Sequence, residues 1–303
     1  MSKRAFLFPG QGSQYVGMGS DFAAGNAKAR ALFEKADEIL GIPLSRICFD
    51  GPEEELRQTR NTQPAIFLHS MAVAEALADR SADMAAGHSL GEYSALVFAG
   101  ALSFEDGLRL VRLRGELMHR AGREQPGTMA AIVGLDGQTV ADLCVESESK
   151  GIVQPANFNS PGQAVISGSV TGVRAAMELA KQRGAKLVKE LAVSGAFHSP
   201  LMESARTGLQ QALAATEIRD ARVPIVANVT AAPVQIASEI RDLLLRQLTM
   251  PVRWEQSIQR VTAEGMTEFV EIGPGKVLQG LVKRISPAAT TRGIDKFSDL
   301  HVS

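Results

Sequence analysis

The segment that most constrains the fold is Gly87-His88-Ser89-Leu90-Gly91, which joins a short apolar run at 82–86 to a helical pattern beginning near Leu90. Glycines on both sides of a serine are typical of a nucleophile elbow, a sharp strand-to-helix turn on which larger neighbours would clash. The unpaired N–H groups at the start of such a helix can stabilise negative charge beside the serine. A glycine-rich turn with an idle serine fits the same five residues, so other parts of the chain have to decide between the two.

Short apolar runs alternate with amphipathic helical patterns along most of the chain. A strand is expected at 5–8, before the loop Pro9-Gly10-Gln11-Gly12-Ser13, and two more at 223–228 and 268–272. Helices are expected at 28–40, 64–79, 104–121 and 236–248. This alternation predicts an α/β protein with a mostly parallel sheet that is covered by helices on both faces.

The middle of the chain has a different order of patterns. Strand-like segments at 129–135, 152–158, 162–167 and 185–191 are interleaved with helical segments at 137–147 and 170–183. The resulting β-α-β-β-α-β order is the split motif of ferredoxin-like domains. We therefore predict a small domain at 125–195, inserted between the two parts, 1–124 and 196–303, of a large α/β domain.

Composition narrows the class of protein. The 303 residues are 45% hydrophobic with a formal net charge of −1 at pH 7, so we expect a soluble globular protein that does not bind nucleic acid. No apolar stretch reaches about 18 residues and the first apolar run is too short for a signal peptide, which predicts a cytoplasmic protein without a membrane span. Cys48 and Cys144 lack disulfide or metal-site spacing and are expected to be structural. No exposed apolar repeat demands a partner, so we expect a monomer.

A serine hydroxyl needs a base to become a nucleophile. The chain offers five histidines: His69, His88, His119, His198 and His301. His88 adjoins Ser89, and neighbours on a tight turn point apart. His69 and His119 lie in helical patterns and His301 is at the tail, which leaves His198 by elimination. No acid between Ser89 and His198 is an obvious third member, so a Ser–His dyad is favoured over a triad. A backbone or amide carbonyl could then orient the imidazole.

Six separated motifs accompany these residues. They are Phe8-Pro9-Gly10-Gln11-Gly12-Ser13-Gln14, Gly87-His88-Ser89-Leu90-Gly91-Glu92, Arg112-Leu113-Arg114-Gly115 with Met118, Asn157-Phe158-Asn159-Ser160-Pro161-Gly162, Gly195-Ala196-Phe197-His198-Ser199 and Gly273-Pro274-Gly275-Lys276-Val277-Leu278. Together they make essentially the whole chain resemble the malonyl-CoA:acyl carrier protein transacylase family of bacterial type II fatty acid synthesis. The resemblance implies a hydrolase-like large α/β domain with a ferredoxin-like insert. It also implies no cofactor, because the coenzyme A thioester is the substrate.

The resemblance assigns roles in catalysis. It implies that Ser89 carries the acyl group and that His198 is its base. The backbone N–H groups of Gln11 and Leu90 would form the oxyanion hole. The carbonyl of Gln247 would hold the histidine.

Other positions bear on the acyl group. The resemblance implies that Arg114 pairs with the free carboxylate of malonyl, since arginine matches a carboxylate with two parallel N–H donors. From the helical pattern alone, a solvated face shared with Arg109 and Arg112 is the alternative. Phe197 is the residue found in related polyketide acyltransferases that take malonyl, where serine accompanies methylmalonyl. His88 lies near the active centre of the family without a defined role.

The implied partners are malonyl-CoA and a phosphopantetheinylated acyl carrier protein. Carrier proteins are typically acidic, so we expect a basic docking surface, and the candidates are Lys181, Arg183, Lys186, Lys189, Lys276, Lys283 and Arg284. Two other functions fit the same residues: a serine thioesterase or esterase that hydrolyses its substrate, and a non-catalytic carrier-binding or scaffold protein. Fatty acid and polyketide synthesis both use such a transfer, and a free-standing chain with no appended domain favours the dissociated fatty acid system, so we expect a role in fatty acid biosynthesis.

Overall fold

The structure is a computed structural model that describes residues 3–301. Its strands are β1 (Lys3–Phe8), β2 (Met84–Gly87), β3 (Thr128–Val133), β4 (Val153–Ser160), β5 (Gln163–Gly168), β6 (Leu187–Glu190), β7 (Ile225–Val226), β8 (Pro233–Val234), β9 (Met266–Ile272) and β10 (Thr290–Ile294). Its α-helices are α1 (Ser20–Gly25), α2 (Ala27–Leu40), α3 (Leu44–Asp50), α4 (Glu53–Leu56), α5 (Thr59–Ala76), α6 (Gly91–Phe98), α7 (Phe104–Glu124), α8 (Gly137–Ser147), α9 (Val170–Gln182), α10 (Glu203–Ala215), α11 (Ala237–Arg246), α12 (Trp254–Ala263) and α13 (Val277–Ile285). Short 3₁₀ turns occupy Glu148–Lys150, Pro200–Met202 and Phe297–His301.

The larger sheet has six strands in the order β10-β9-β1-β2-β7-β8. All neighbouring pairs are parallel except β7 and β8, so the expected mostly parallel sheet is confirmed. Strand β1 lies near its centre, and alternate side chains of a strand point to opposite faces. Ala5 and Leu7 pack into one apolar cluster, and Phe6 and Phe8 pack into another. Both faces of the sheet are therefore buried.

Two predictions for the large α/β part of the chain were wrong in detail, and two strands of its sheet were missed. The strand expected at 223–228 is only Ile225–Val226, and β8 and β10 were not predicted. Strand β10 has few apolar residues, so pairing with β9 rather than its own pattern makes it a strand. The helix expected at 64–79 begins at Thr59 and contains Pro64 in its interior. Proline usually marks a first turn, which misplaced the start.

The second sheet has four antiparallel strands in the order β4-β5-β3-β6. Along the chain its elements follow as β3, α8, β4, β5, α9 and β6, which is the predicted order of strands and helices. Helices α8 and α9 contribute Val140, Leu143 and Val173 to an apolar cluster with the strands. That this sheet and its helices form a separate domain at 125–195 stays a prediction.

Backbone hydrogen bonds tie the second sheet to the rest of the molecule. The N–H of Phe158 donates to the carbonyl of Val252 at 2.9 Å, and the N–H of Val252 donates to Ala156 at 2.8 Å. In addition, Gln154 Nε2 donates to the carbonyls of His198 and Thr249. These contacts place β4 beside the loop that carries His198.

Two expectations from composition concern the described part of the chain. Between residues 3 and 301 no helix has the length and apolar character needed to cross a membrane. Cys48 and Cys144 are buried and unbonded, and burial raises the pKa of both thiols. Raised thiol pKa values make a reactive role unfavourable, in keeping with the structural role expected for them.

Candidate active site

The predicted elbow is present, and its geometry explains its two glycines. Strand β2 ends at Gly87 and α6 begins at Gly91, with Ser89 between them at φ 52°. A Cβ added to Gly87 would lie 1.9 Å from the carbonyl carbon of Gly91, and one added to Gly91 would lie 2.0 Å from the carbonyl oxygen of Phe8. A non-glycine residue in this left-handed region is strained, which is common at functional sites.

Ser89 and His198 are in hydrogen-bonding contact. Ser89 Oγ lies 2.8 Å from His198 Nε2, and His198 Nδ1 lies 2.8 Å from the backbone carbonyl oxygen of Gln247. Because a carbonyl only accepts, Nδ1 must carry the hydrogen, and Nε2 is left to accept the proton of the serine. No carboxylate forms an ion pair with His198 anywhere in residues 3–301, so the geometry is that of a dyad.

His198 is held in its neutral form. It is only 4% exposed, and burial, together with the nearby positive charge of Arg114, lowers its pKa to about 3. The contact with the Gln247 carbonyl acts in the opposite direction. The imidazole is therefore unprotonated at neutral pH, which is the form that a general base requires.

Two backbone N–H groups lie where negative charge would develop. Gln11 and Leu90 both line the cavity beside Ser89, and neither backbone N–H has a hydrogen-bond acceptor within the described residues. The loop of Gln11 is pressed against the elbow, since a Cβ added to Gly10 would lie 2.3 Å from the carbonyl oxygen of His88. The N–H of Ser89 itself is occupied by Asn228 Oδ1 at 2.7 Å. The N–H groups of Gln11 and Leu90 can therefore act as oxyanion donors.

Arg114 is buried at the site, 1% exposed, so the solvated-face alternative is wrong for this residue. Its Nη1 donates to Gln63 Oε1 at 2.7 Å, and its Nη2 donates to Gln247 Oε1 at 3.0 Å and to Ser89 Oγ at 3.2 Å. No carboxylate in residues 3–301 forms an ion pair with it. Burial lowers the pKa of its guanidinium. A buried arginine whose hydrogen bonds go only to amide oxygens and a hydroxyl is suited to bind an incoming carboxylate.

A cavity of about 270 Å³ opens onto these groups. Its walls include Phe197, which is 6% exposed, together with Met118 and Leu281. His88 also lines it, with Nε2 2.9 Å from Asn159 Oδ1 and its ring 5.3 Å from the ring of Trp254. The structure therefore brings seven of the eight predicted site residues around one cavity. The eighth, Gln247, does not line the cavity and lies behind Ser89 and Arg114.

Three polar residues of the site were missed in the sequence. Gln63 holds Arg114, Asn228 holds the N–H of Ser89, and Glu92 accepts from Gln247 Nε2 at 2.7 Å. Asn228 comes just after β7, and polar residues at the carboxyl ends of parallel strands are a recognised signal for sites. Glu92 is part of the elbow motif itself. The amide of Gln63 carries no sequence signal of its own.

The acyl transferase domain family matches residues 5–290. The malonyl CoA-acyl carrier protein transacylase of Bacillus subtilis (strain 168) is 50% identical over 289 residues, which are 94% of this chain and 91% of that protein. The chain belongs to this transacylase family. The family expected from the six motifs is thereby confirmed.

Other transacylases are similar over their whole length. The malonyl CoA-acyl carrier protein transacylase of Escherichia coli (strain K12) is 43% identical over 299 residues, covering 98% of this chain and 97% of that one. The acyl carrier protein S-malonyltransferase of Vibrio cholerae superimposes with a TM-score of 0.94 at 41% identity, covering 99% of each chain. A malonyl-transacylase solved in complex with a type II PKS acyl-carrier protein gives a TM-score of 0.95 at 41% identity, covering 99% of this chain and 98% of that one.

Proposed function

We propose that the chain is an acyl carrier protein S-malonyltransferase, which moves a malonyl group from malonyl-CoA to the phosphopantetheine thiol of an acyl carrier protein. The observation that carries this proposal is the position of Ser89 Oγ. It lies 2.8 Å from the base nitrogen of His198 and 3.2 Å from Nη2 of Arg114. A nucleophile placed between a base and a buried cation without a carboxylate partner suits an acyl group that carries its own carboxylate.

In the first half-reaction Ser89 Oγ attacks the thioester carbonyl while His198 Nε2 takes the hydroxyl proton. The backbone N–H groups of Gln11 and Leu90 hold the oxyanion of the tetrahedral intermediate. The carbon–sulfur bond then breaks, and the sulfur of coenzyme A leaves with the proton from His198. The enzyme is left as malonyl-Ser89.

The second half-reaction runs the same steps with the carrier protein. Its thiol gives a proton to His198 and attacks the ester carbonyl of malonyl-Ser89. The carbon–oxygen bond breaks, and Ser89 Oγ recovers the proton. The malonyl group is then a thioester of the carrier, so the cycle is ping-pong and uses no cofactor.

Selectivity for malonyl follows from Arg114 and the walls around it. The malonyl carboxylate would be the charged partner that the buried guanidinium lacks, whereas an acetyl group would leave that charge unpaired. Phe197 narrows the same cavity, consistent with a small unbranched acyl group. Held by Arg114, the ester carbonyl would be aligned for the arriving thiol rather than for water.

The function is tested with the wild-type chain, labelled malonyl-CoA and holo acyl carrier protein. We expect a malonyl adduct on the protein in the absence of carrier and label on the carrier once it is added. Release of free malonate without labelled carrier would indicate the thioesterase alternative instead. Absence of any adduct would indicate the non-catalytic alternative.

Three of the seven candidate docking residues already have a side-chain partner. Lys181 pairs with Glu178, Arg183 pairs with Glu146, and Arg284 donates to Gln163. Lys186, Lys189, Lys276 and Lys283 form no ion pair within residues 3–301. Of these, Lys276 directly precedes α13, whose first residue Val277 is 52% exposed and lines the cavity. We therefore propose Lys276 as a contact for the acidic carrier at the cavity mouth.

Reversing this charge should weaken transfer to the carrier. We expect Lys276→Glu to raise the KM for the carrier protein about three- to tenfold at low salt, and less at high salt, because rim charges act mainly on encounter. The exposed Lys28 lies outside the candidate surface, so Lys28→Glu is the matched control. An equal loss when free pantetheine replaces the carrier would rule out a docking role for Lys276.

The division into domains and the type of each domain are also proposals. The β-α-β-β-α-β order and the strand order β4-β5-β3-β6 support a ferredoxin-like small domain at 125–195. The elbow at the end of a central parallel strand supports a hydrolase-like large domain formed by 1–124 and 196–303. Fatty acid biosynthesis, a cytoplasmic location and a monomeric state stay predictions.

A further inference from the structure

Glu92 is a buried carboxyl group that the proposed reaction does not use. It lies in the first turn of α6 and is 3% exposed. Its Oε2 accepts from Gln247 Nε2 at 2.7 Å and from the N–H of Asn228 at 3.1 Å. Burial raises its pKa to about 7, although these two contacts lower it. Because burying a carboxyl group costs free energy, a position that served packing alone would favour an apolar residue.

The two partners of Glu92 also hold the backbone of the elbow. Asn228 Oδ1 accepts from the N–H of Ser89 at 2.7 Å, and Asn228 Nδ2 donates to the carbonyl of Gly87 at 2.7 Å. Gln247 Nε2 donates to the carbonyl of Ser89 at 2.9 Å. Glu92 therefore joins the ends of β7 and α11 to the turn that carries the nucleophile.

The contacts of Gln247 determine which end of its amide faces Arg114. Its Nε2 lies between two oxygens that accept, Glu92 Oε2 and the carbonyl of Ser89. The other end of the amide, Oε1, is thereby turned to Arg114 Nη2 at 3.0 Å. The two ends of a glutamine amide are nearly equal in size, so only hydrogen-bond partners distinguish the two orientations. A flipped amide would present N–H groups to the guanidinium, which can only donate.

We propose that Glu92 is a positioning residue for acyl selectivity. It acts through Gln247, keeping the amide oxygen toward Arg114 and so keeping the guanidinium aimed at the acyl carboxylate beside Ser89. This inference rests on the proposed malonyl transfer. Glu92 touches no reacting atom, and its effect is specific to substrates that carry a carboxylate.

The test compares single-turnover acylation of Ser89 by malonyl-CoA and by acetyl-CoA, followed by intact mass. Glu92→Leu removes the acceptor of Gln247. We expect acylation by malonyl-CoA to fall about 10- to 100-fold through a weaker apparent affinity, which is the effect of losing one hydrogen bond between the guanidinium and the acyl carboxylate. Acylation by acetyl-CoA should change by less than about threefold, because no carboxylate has to be aligned. Equal losses with both thioesters would mean that Glu92 only stabilises the elbow, and would overturn the proposal.

Two further variants test whether Glu92 acts through its hydrogen-bond acceptor or through its charge, and whether it acts through Gln247. Glu92→Gln keeps an oxygen that Gln247 and Asn228 can reach, so we expect it to retain the malonyl preference. If it fell as far as Glu92→Leu, the negative charge rather than the acceptor would matter, and the proposal would be wrong. In a Gln247→Leu background Glu92→Leu should add no further loss of malonyl preference, since neighbours that act as one unit are not additive. Additive losses would contradict the route through Gln247.

The same experiment keeps this inference separate from the proposed function. If the wild-type chain acquires no malonyl adduct on Ser89, the proposed function fails before Glu92 is tested. If Glu92→Leu proves too unstable to assay, Glu92→Asp takes its place. The shorter side chain withdraws the acceptor from Gln247 but retains the carboxylate, so the same selective fall in malonyl acylation is expected. An unchanged malonyl preference in Glu92→Asp would count against the proposal.

Discussion

Substituting Ser89 by alanine is expected to abolish the malonyl adduct and to lower malonyl transfer by a factor on the order of 10⁴–10⁶. The substitution removes the only atom that contacts both His198 Nε2, at 2.8 Å, and Arg114 Nη2, at 3.2 Å, within residues 3–301. Without Oγ there is no covalent intermediate, and the remaining oxyanion donors can only assist the direct attack of water on the thioester. Intact mass after incubation with malonyl-CoA measures the adduct, and label transfer to holo carrier measures turnover.

Ser94 provides the matched control for this change. It lies on the same helix, α6, is fully buried, and its Oγ has no hydrogen-bond partner within residues 3–301. We expect Ser94→Ala to keep both the adduct and the transfer rate, because no hydrogen bond is removed. An adduct that persists in Ser89→Ala would place the acyl group on another residue and would refute the mechanism.

The second large effect is expected from Arg114→Ala. A malonyl carboxylate brought into this buried site without its arginine would lose its charged partner, at a cost of about 3–5 kcal/mol. We therefore expect kcat/KM for malonyl-CoA to fall by a factor on the order of 10²–10⁴. Acylation by acetyl-CoA should hold or increase, because an acetyl group no longer leaves a buried charge unpaired. Competition between the two thioesters measures the change in selectivity.

Arg109→Ala serves as the control for Arg114→Ala. Arg109 lies five residues earlier on α7 but is exposed, and its side chain forms no hydrogen bond or ion pair within residues 3–301. Its removal should leave selectivity unchanged. If Arg114→Ala lowered malonyl and acetyl transfer to the same extent, Arg114 would support the site without recognising the acyl carboxylate. In Arg114→Ala, Gln63 and Gln247 lose the donor of a buried hydrogen bond, which could destabilise the protein. Thermal unfolding of the variant shows whether a loss of activity comes from a loss of the fold.

Much of the fold was predictable because its signals are local. The apolar run of β1, the helical pattern of α8 at 137–147 and the glycines around Ser89 each reflect sterics or periodicity within a few residues. Strands β8 and β10 and the short β7 were not predicted well. They are edge or two-residue strands whose existence depends on pairing with a neighbour rather than on their own residues.

The site was predictable only where residues form motifs. Ser89 follows from the elbow, and His198 follows by elimination and from its motif. The burial of Arg114 could not be inferred from α7 alone, because an amphipathic pattern assigns charged residues to the solvated face. The helix turns this arginine inward since Gln63 and Gln247 supply acceptors there, and they lie 51 and 133 residues away in the chain.

By itself the amino-acid sequence determined the elbow, the order of strands and helices around the second sheet, the family and the candidate nucleophile. These depend on short-range sterics and on residue patterns that a chain displays before it folds. Only the tertiary structure decided which polar groups surround Ser89: Asn228 on its N–H, Gln247 on its carbonyl, and Glu92 holding both. Amide and carboxyl groups that are distant in the chain acquire these roles when burial leaves each donor and acceptor in need of a partner.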